Sequence, residues 1–300
     1  MNVLEISGLE KHFGEKQVLR GVELQVPEKR VFGFVGRNGA GKTTTMKITL
    51  GLLARDAGEV KVCGENVRYG DTKTNRFIGY LPDVPEYYTF MTPFEYLRFC
   101  GEITGLDKAS IKSRSLDMLE LVGLGNENRR IKGFSRGMKQ RLGIAQALLG
   151  KPKLLICDEP TSALDPMGRK EILDVLVAAK EETTILFSTH VLSDVERICD
   201  EMALLEGGKI VMRGTIDEIK QKRRKPATEI RLEHKKDSEA LLRAFNLLRK
   251  TDHGDLILED PALLPELLRF IADNGMEVVR IEKQETTLED IFLEAIHKQA

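Results

Sequence analysis

A glycine-rich stretch between an apolar run and a helical segment has residue types suited to phosphate binding. Residues 36–43 read Gly-Arg-Asn-Gly-Ala-Gly-Lys-Thr and fit the pattern G-x-x-x-x-G-K-[ST]. The glycines let backbone N–H groups turn inward around phosphate oxygens, and the following helix adds the partial positive charge of its N-terminus. We expect Lys42 to reach the β- and γ-phosphates and the Thr43 hydroxyl to ligate Mg²⁺. A chance glycine turn is the alternative, which the flanking strand and helix disfavour.

The residues of this stretch that are predicted to bind nucleotide are Gly36, Arg37, Asn38, Gly39, Ala40, Gly41, Lys42, Thr43 and Thr44.

Two acidic residues follow a second apolar run. Residues 154–157 read Leu-Leu-Ile-Cys and precede Asp158 and Glu159, as in a buried strand that ends where the acids begin. Asp158 is then expected near the metal ion and Glu159 within reach of an attacking water. Phosphoryl transfer needs charge neutralisation and a positioned nucleophile more than covalent help, so Glu159 is the predicted general base. Nothing matches N-K-x-D, the base-reading element of GTPases, and ATP is favoured over GTP.

The elements around these residues alternate between strands and helices. Short strands are predicted near residues 3–6, 22–26, 30–35, 60–62, 77–81, 154–157, 184–187, 202–205 and 210–212. From about 93 to 150 the spacing becomes helical, which predicts a helical insertion inside an α/β domain. One helix face there is expected to carry Leu116, Leu119, Leu121 and Leu124.

A charged stretch at residues 221–227 is interpreted as a linker between a first domain, 1–220, and a small α/β domain, 228–300. The second domain is expected to repeat strand then helix three times. One of its helix faces is predicted to carry Leu241, Phe245 and Leu248, and Thr287 with Asp290 is predicted to open the last helix as a capping box.

Composition and charge narrow the function classes. A formal net charge of -1 gives no sign of a nucleic-acid surface, which would show as a basic excess. The cysteines at 63, 100, 157 and 199 form no CxxC pair, which argues for a reducing compartment and against a zinc site. No signal peptide and no apolar run of about 18 residues is recognisable. The expectation is a cytoplasmic protein whose membrane role, if it has one, comes through a partner.

The order of these motifs resembles the ATPase subunit of an ABC transporter over essentially the first 220 residues. Residues 134–138, Phe-Ser-Arg-Gly-Met, lie where that family has its LSGGQ signature. Residues 162–165 resemble its D-loop, which ends at Asp165, and residues 188–190 resemble its switch histidine. Phe13 lies where the family has an aromatic ring that stacks on adenine. The resemblance implies a P-loop NTPase fold, with antiparallel β and helical subdomains.

The resemblance also implies how the chain works. In the family, the signature of one subunit closes over ATP held by another, so Ser135 and Gly137 imply a head-to-tail dimer, either with itself or with a similar subunit. His190 is then expected to contact the γ-phosphate and to hold Glu159 and the water in line. Catalytic roles thus fall to Glu159, His190 and Lys42, and ATP and Mg²⁺ are the implied cofactors.

Three positions in two motifs depart from the family pattern. Asp83 stands where the family usually has Gln, and it is expected to bind the metal through water together with Thr43 and Asp158. Arg136 and Met138 replace Gly and Gln of the signature. The variant signature and the appended domain resemble the branch of ABC-2-type exporters for drugs, sodium or polysaccharides.

The resemblance implies an ATPase that powers a separate membrane permease, to which it binds at the inner face of the membrane. A hypothetical docking groove is lined by Tyr87, Tyr88 and Phe90, which lie in a stretch rich in aromatic residues. A soluble nucleotide-driven clamp without transport is the alternative, and an ATP binder without turnover is a third possibility, against which Glu159 and His190 argue. The transported substrate, and a choice between homodimer and heterodimer, are not readable from the residues.

Overall fold

The chain divides into two compact units, Met1–Ile216 and Asp217–Ala300. The computed structural model describes residues 1–222, 227–251, 254–284 and 287–297. The ends of the stretch interpreted as a linker, 221–227, are regular structure: residues 221 and 222 end a helix and residue 227 begins a strand. Lys and Gln are good helix formers, so the helix extends into this stretch, whose role as a linker stays a prediction. Residues 223–226 lie outside the described residues.

The first unit contains two sheets. Its strands are β1 (Asn2–Phe13), β2 (Lys16–Pro27), β3 (Val31–Val35), β4 (Ala57–Val62), β5 (Glu65–Asn66), β6 (Ile78–Leu81), β7 (Leu154–Asp158), β8 (Thr184–Thr189), β9 (Glu201–Glu206) and β10 (Lys209–Thr215). The smaller sheet has the order β2-β1-β4-β5 and is antiparallel. The strands β1 and β2 are much longer than predicted, because they pair with each other along their whole length despite weak alternation at their outer ends.

The larger sheet has the order β10-β9-β3-β8-β7-β6. Its strands β9, β3, β8, β7 and β6 run parallel, and only β10 joins as an antiparallel edge strand through the turn at Gly207 and Gly208. Every residue of β3, β7 and β8 is buried, as expected of a parallel sheet that is covered on both faces. Phe32, Phe34 and Ile156 share a hydrophobic core with residues of the smaller sheet. Because β3, β7 and β8 run parallel, their carboxyl ends lie at the same edge of the sheet. The predicted catalytic residues Lys42, Glu159 and His190 follow these ends.

Helices complete the first unit. They are α1 (Lys42–Thr49), α2 (Pro93–Ile103), α3 (Lys108–Leu121), α4 (Arg136–Leu148), α5 (Pro166–Ala179) and α6 (Leu192–Ile198), and α7 (Ile216–Lys222) follows β10. A capping box opens α2: Thr92 accepts the N–H of Glu95, and Glu95 accepts the N–H of Thr92. Such a cap stabilises a helix by about 1 kcal/mol. No helix within the described ranges is both long enough and apolar enough to span a bilayer.

The predicted apolar face of α3 was wrong. Its buried residues are Ile111, Ser115, Met118 and Leu119. Leu116 is 49% exposed, and Leu124 lies beyond the end of the helix. The leucines we chose follow steps of three, two and three residues, which do not repeat at the period of about 3.6 residues that one helix face requires.

The second unit has a small antiparallel sheet of order β12-β13-β11-β14. Its elements are β11 (Ala227–Leu232), α8 (Lys235–Ala244), β12 (Leu248–Lys250), β13 (Leu256–Leu258), α9 (Leu264–Asp273), β14 (Val278–Gln284) and α10 (Leu288–His297). Leu248 was wrongly placed on a helix face: α8 ends at Ala244, and Leu248 begins a strand paired with Leu258. Its side chain still joins the core of the unit, so apolar spacing alone did not separate the two geometries. Thr287 and Asp290 form the predicted hydrogen bonds at the start of α10.

Candidate functional site

A cavity of about 510 Å³ opens at the carboxyl ends of β3, β7 and β8. Its lining combines cationic, hydroxyl and carboxylate side chains with the glycine-rich loop. The lining residues are Lys16, Val18, Arg37, Asn38, Gly39, Gly41, Lys42, Thr43, Thr44, Asp83, Asp158, Glu159, Ser162 and His190. Residues far apart in sequence thus converge on one volume large enough for a mononucleotide.

The loop between β3 and α1 needs glycine for two separate reasons. Gly41, the N-cap of α1, has a φ of 113°, a conformation that strongly favours glycine. A Cβ on Gly36 would lie 2.4 Å from the carbonyl oxygen of Leu205 on β9, so no side chain fits there. The N-cap makes no side-chain hydrogen bond to the helix. The first N–H groups of any helix have no intrahelical acceptor, and at the start of α1 no N-cap side chain binds them, so they are suited to an anion.

Lys42 is buried at the centre of the loop, with a side chain that is 5% exposed. Its Nζ donates to the carbonyl oxygens of Gly36, at 2.6 Å, and Arg37, at 3.3 Å. The same Nζ lies 3.1 Å from Oε1 of Glu159. A buried ammonium group fixed in this way is a preformed cation at the wall of the cavity.

Asp158 and Thr43 make a second cluster beside Lys42. The Thr43 hydroxyl donates to Oδ2 of Asp158 at 2.8 Å, and the Ser188 hydroxyl donates to Oδ1 at 2.6 Å. A hydroxyl oxygen and a carboxylate are hard oxygen ligands of the kind that Mg²⁺ prefers. Thr43 and Asp158 both line the cavity. Their hydroxyl and carboxylate oxygens therefore fit a hydrated Mg²⁺ ion.

Glu159 directly follows β7 and is held in an unusual backbone conformation. Its φ is 48°, in the left-handed region that costs a non-glycine residue about 1–2 kcal/mol. Its N–H donates to Oγ of Ser188 at 3.0 Å, which holds this conformation in place. Such local strain is typical of functional positions.

The Glu159 carboxylate is shared between two partners. Nδ1 of His190 lies 2.9 Å from Oε2. Oε1 is buried, and its partner is the ammonium group of Lys42, whose Nζ lies 3.1 Å away. A carboxylate oxygen has more than one lone pair, so Oε1 can accept a hydrogen bond from a bound water while it stays beside Lys42. That arrangement is what a general base needs.

Burial keeps the side chains of Tyr80 on β6 and Cys157 on β7 uncharged at neutral pH. Burial, with a smaller contribution from Asp158, raises the pKa of Tyr80 to about 12. Burial also raises the pKa of the Cys157 thiol far above its usual value. Neither group contributes a negative charge beside Asp158 at neutral pH, so the anionic groups at this edge of the sheet are carboxylates.

Several predicted residues lie outside the cavity lining. Phe13 ends β1, is 50% exposed, and has Nζ of Lys11 at 5.5 Å from its ring centroid. Ser135 is the N-cap of α4 and accepts the N–H of Met138, while Asp165 is the N-cap of α5 and accepts the N–H of Gly168. The remaining predicted residues outside the lining are Gly36, Ala40 and Gly137.

The structure also brings residues to the site that sequence reasoning missed. Lys16 and Val18 on β2 line the cavity; the only signal for them was their closeness in sequence to Phe13. Ser162 belongs to the segment likened to a D-loop and could have been found from that segment. Ser188 joins Asp158 to the backbone of Glu159, a role that needs the neighbouring positions of β7 and β8 and has no sequence signal.

Known proteins resemble this chain along both units. A family model described as ABC transporter matches residues 19–162, and one described as ATP-binding protein DrrA1-3-like, C-terminal domain, matches residues 214–296. The chain is 38% identical over 299 residues to the uncharacterized ABC transporter ATP-binding protein YxlF of Bacillus subtilis, with 98% of this chain and 100% of that protein covered.

Two further likenesses extend this result. The bacitracin transport ATP-binding protein BcrA of Bacillus licheniformis is 35% identical over 301 residues, covering 98% of this chain and 97% of that protein. A solved structure of an ATP-binding subunit of an ABC transporter is 32% identical, with a TM-score of 0.66, covering 73% of this chain and 92% of that chain. The predicted α/β fold class is thereby confirmed.

Proposed function

The chain belongs to the ATP-binding proteins of ABC transporters, and on that premise we propose that it hydrolyses ATP in the 510 Å³ cavity to power export through a separate membrane permease. The resemblance stated from the sequence is confirmed, and with it the ATPase activity of the family. The proposed location of hydrolysis rests on one observation. Glu159 contacts Lys42 through one carboxylate oxygen and His190 through the other.

Phosphate binding is assigned to the glycine-rich loop. The free N–H groups at the start of α1 and the buried ammonium of Lys42 face the cavity together, and both favour an anion. We assign the adenine to the side of Phe13, which is close in sequence to the lining residues Lys16 and Val18. Thr43 and Asp158 would hold Mg²⁺, with Asp83 acting through a water. The metal ion supplies neutralisation of the phosphate charge.

Hydrolysis is assigned to Glu159 and His190. Oε1 of Glu159, beside Lys42, accepts a proton from the attacking water, while His190, bound to Oε2, keeps the carboxylate oriented. His190 is 47% exposed and so is accessible to the γ-phosphate from the cavity side.

A second chain is needed to complete each site. Ser135 and Gly137 are outside the cavity of their own chain, yet they open α4, whose N-terminus suits an anion. The Ser135 oxygen already accepts the N–H of Met138, and its O–H is left to donate to a phosphate oxygen of a partner's ATP. We therefore assign a head-to-tail dimer with two ATP molecules at its interface.

Mixing two inactive variants tests this pairing. Lys42→Ala damages the phosphate loop and Ser135→Ala damages the signature, so each homodimer has two defective sites. In a mixed dimer one site combines an intact loop with an intact signature. We expect the mixture to recover ATPase activity well above the sum of the two variants measured alone. Simple additivity of the two rates would contradict the head-to-tail arrangement.

The permease is the proposed partner, and α2 with its preceding segment offers a surface for it. A groove of about 500 Å³ is lined by Phe90, Met91, Thr92, Glu95, Arg98, Phe99, Glu102 and Arg130. Tyr88 and Phe90 are 51% and 64% exposed, and exposed aromatic side chains are typical interface anchors. Tyr87 does not belong to this surface, because its hydroxyl donates to the carbonyl of Lys139 and its ring packs edge-on against Tyr96.

Replacing Tyr88 and Phe90 by alanine tests the docking surface. We expect the double variant to lose most co-purification with the co-expressed permease, because each aromatic anchor contributes about 1–2 kcal/mol or more. ATP binding by the isolated chain should stay unchanged. Tyr69→Ala is a matched control, since Tyr69 is 67% exposed and lies outside the groove. Equal loss of ATP binding and of permease binding would assign these rings a structural role.

The names of the relatives guide the substrate question. One relative is named for bacitracin transport and another, from Streptococcus pyogenes, for lantibiotic transport. Peptide antibiotics are accordingly the first class of exported substrate to test with this chain and its permease.

A further inference from the structure

Asp83 is a third carboxylate in the cavity and differs from the other two in its partners. It follows β6, and its side chain is 46% exposed. Asp158 accepts hydrogen bonds from Thr43 and Ser188, and Glu159 has Lys42 beside it. Asp83 is assigned to the metal ion only through a water, so no direct metal contact would cancel its charge. A carboxylate that faces a triphosphate without such a contact opposes its binding unless a nearby cation neutralises it.

Arg136 is the cation next to Asp83. Its Nη2 lies 3.3 Å from Oδ1 of Asp83. Arg136 is the first residue of α4 and directly follows Ser135. Two of the departures from the family pattern noted in the sequence, an acid at position 83 and a base at position 136, therefore contact each other within one chain.

The position of Asp83 does not depend on this ion pair. The fully buried Gln140, one turn further along α4, donates from Nε2 to the carbonyl oxygen of Asp83 at 2.7 Å. The Tyr87 hydroxyl binds the Lys139 carbonyl on the same helix at 2.6 Å. Gln140 thus holds the main chain of Asp83, and a different residue, Arg136, balances the charge of its carboxylate.

We propose that Arg136 is a positioning and charge-balancing residue of its own chain's nucleotide site: it neutralises Asp83 and so strengthens binding of Mg²⁺–ATP in the cavity. This inference rests on the proposed placement of ATP. It assigns Arg136 a role separate from that of the adjacent Ser135, which serves the partner's site. Arg136 then affects the affinity for Mg²⁺–ATP in its own chain's cavity, and Ser135 affects the rate of ATP hydrolysis in the partner's site.

A double-mutant cycle separates charge balance from packing. Binding of the slowly hydrolysed analogue AMP-PNP with Mg²⁺ is measured by calorimetry for the wild type, Arg136→Gln, Asp83→Asn and the double variant. Arg136→Gln should raise Kd about two- to fivefold, the range expected for an exposed ion pair. In the Asp83→Asn background the same substitution should change Kd little, because no carboxylate is left to neutralise.

Salt dependence and two control variants test whether the effect of Arg136→Gln on Kd is electrostatic. The Arg136→Gln effect should shrink between about 50 mM and about 500 mM NaCl, because salt screens charges at this exposure. Arg136→Lys keeps the charge and should retain most of the affinity. Arg129→Gln removes an arginine from an exposed pair with Glu127 that lies outside the cavity, and it should leave Kd unchanged.

An effect of Arg136→Gln that is equal in both backgrounds, or that does not respond to salt, overturns the inference. So does an unchanged Kd. Lys42→Ala is measured in parallel: if it binds the analogue as tightly as the wild type, the placement of ATP in the cavity has failed, and not the role of Arg136.

Discussion

Replacing Lys42 with alanine is expected to lower the ATPase rate by about 10²–10³-fold, the loss typical of removing one preorganised donor to developing charge. The buried ammonium is the cation that the phosphate loop presents, at 5% exposure. Its loss also removes the Nζ donor from the carbonyl oxygen of Gly36 and the cation beside Glu159. Both ground-state affinity and turnover should therefore fall. Steady-state kinetics with Mg²⁺–ATP measures the two effects.

The control for Lys42 lies on the same helix. Lys47 is exposed in the last turn of α1, so Lys47→Ala removes the same side chain from the same element without touching the cavity. That variant should keep wild-type kinetics. If Lys42→Ala instead keeps a rate within a few-fold of the wild type while remaining folded, the nucleotide binds elsewhere.

Replacing Glu159 with glutamine is expected to slow hydrolysis by about 10²–10⁴-fold, the contribution of a general base, while nucleotide affinity stays close to that of the wild type. The amide keeps the size of the carboxylate and can still bind His190 and a water, but it does not accept the proton. The trapped ATP should also stabilise the dimer. Light scattering with Mg²⁺–ATP should then give about twice the chain mass of 33.8 kDa.

Glu181→Gln serves as the comparison, because Glu181 is an exposed acid in the turn after α5 and plays no part in the cavity. It should hydrolyse ATP normally and show no dimer trapping. Turnover of the Glu159→Gln variant at the wild-type rate would assign the general base to another group.

The core of the fold was predictable because its strands are short, continuously apolar and followed by chemically distinctive residues. β3 and β7 were recognised from composition alone, and the residues that follow them identified the carboxyl edge of the sheet. The outer halves of β1 and β2 were missed, because their pairing is set by the partner strand and not by local alternation. Leu248 was misplaced for a related reason: burial was predicted correctly, but a helix face and a short strand bury an isolated leucine equally well.

The candidate site was predictable where contacts are local in sequence. Lys42 and Thr43 are consecutive at the start of α1, and Asp158 and Glu159 are consecutive after β7, so their grouping followed from the motifs. Contacts between distant segments were not predictable. Ser188 reaches Asp158 only because β7 and β8 are neighbours in register, and Arg136 reaches Asp83 only because α4 packs against β6. Both depend on tertiary structure, to which residue spacing gives no access.

The cap at the start of α4 has a genetic consequence under the proposed pairing. A chain altered at Ser135 keeps its own phosphate loop intact, so it still binds nucleotide and still pairs with unaltered chains. Each such pairing places a defective signature over a normal chain's ATP. In a cell that makes both forms, many normal chains would be held in impaired complexes, and the altered allele would behave as dominant. An allele altered at Lys42 damages the site of its own chain and, if it weakens nucleotide-dependent pairing, would behave as recessive.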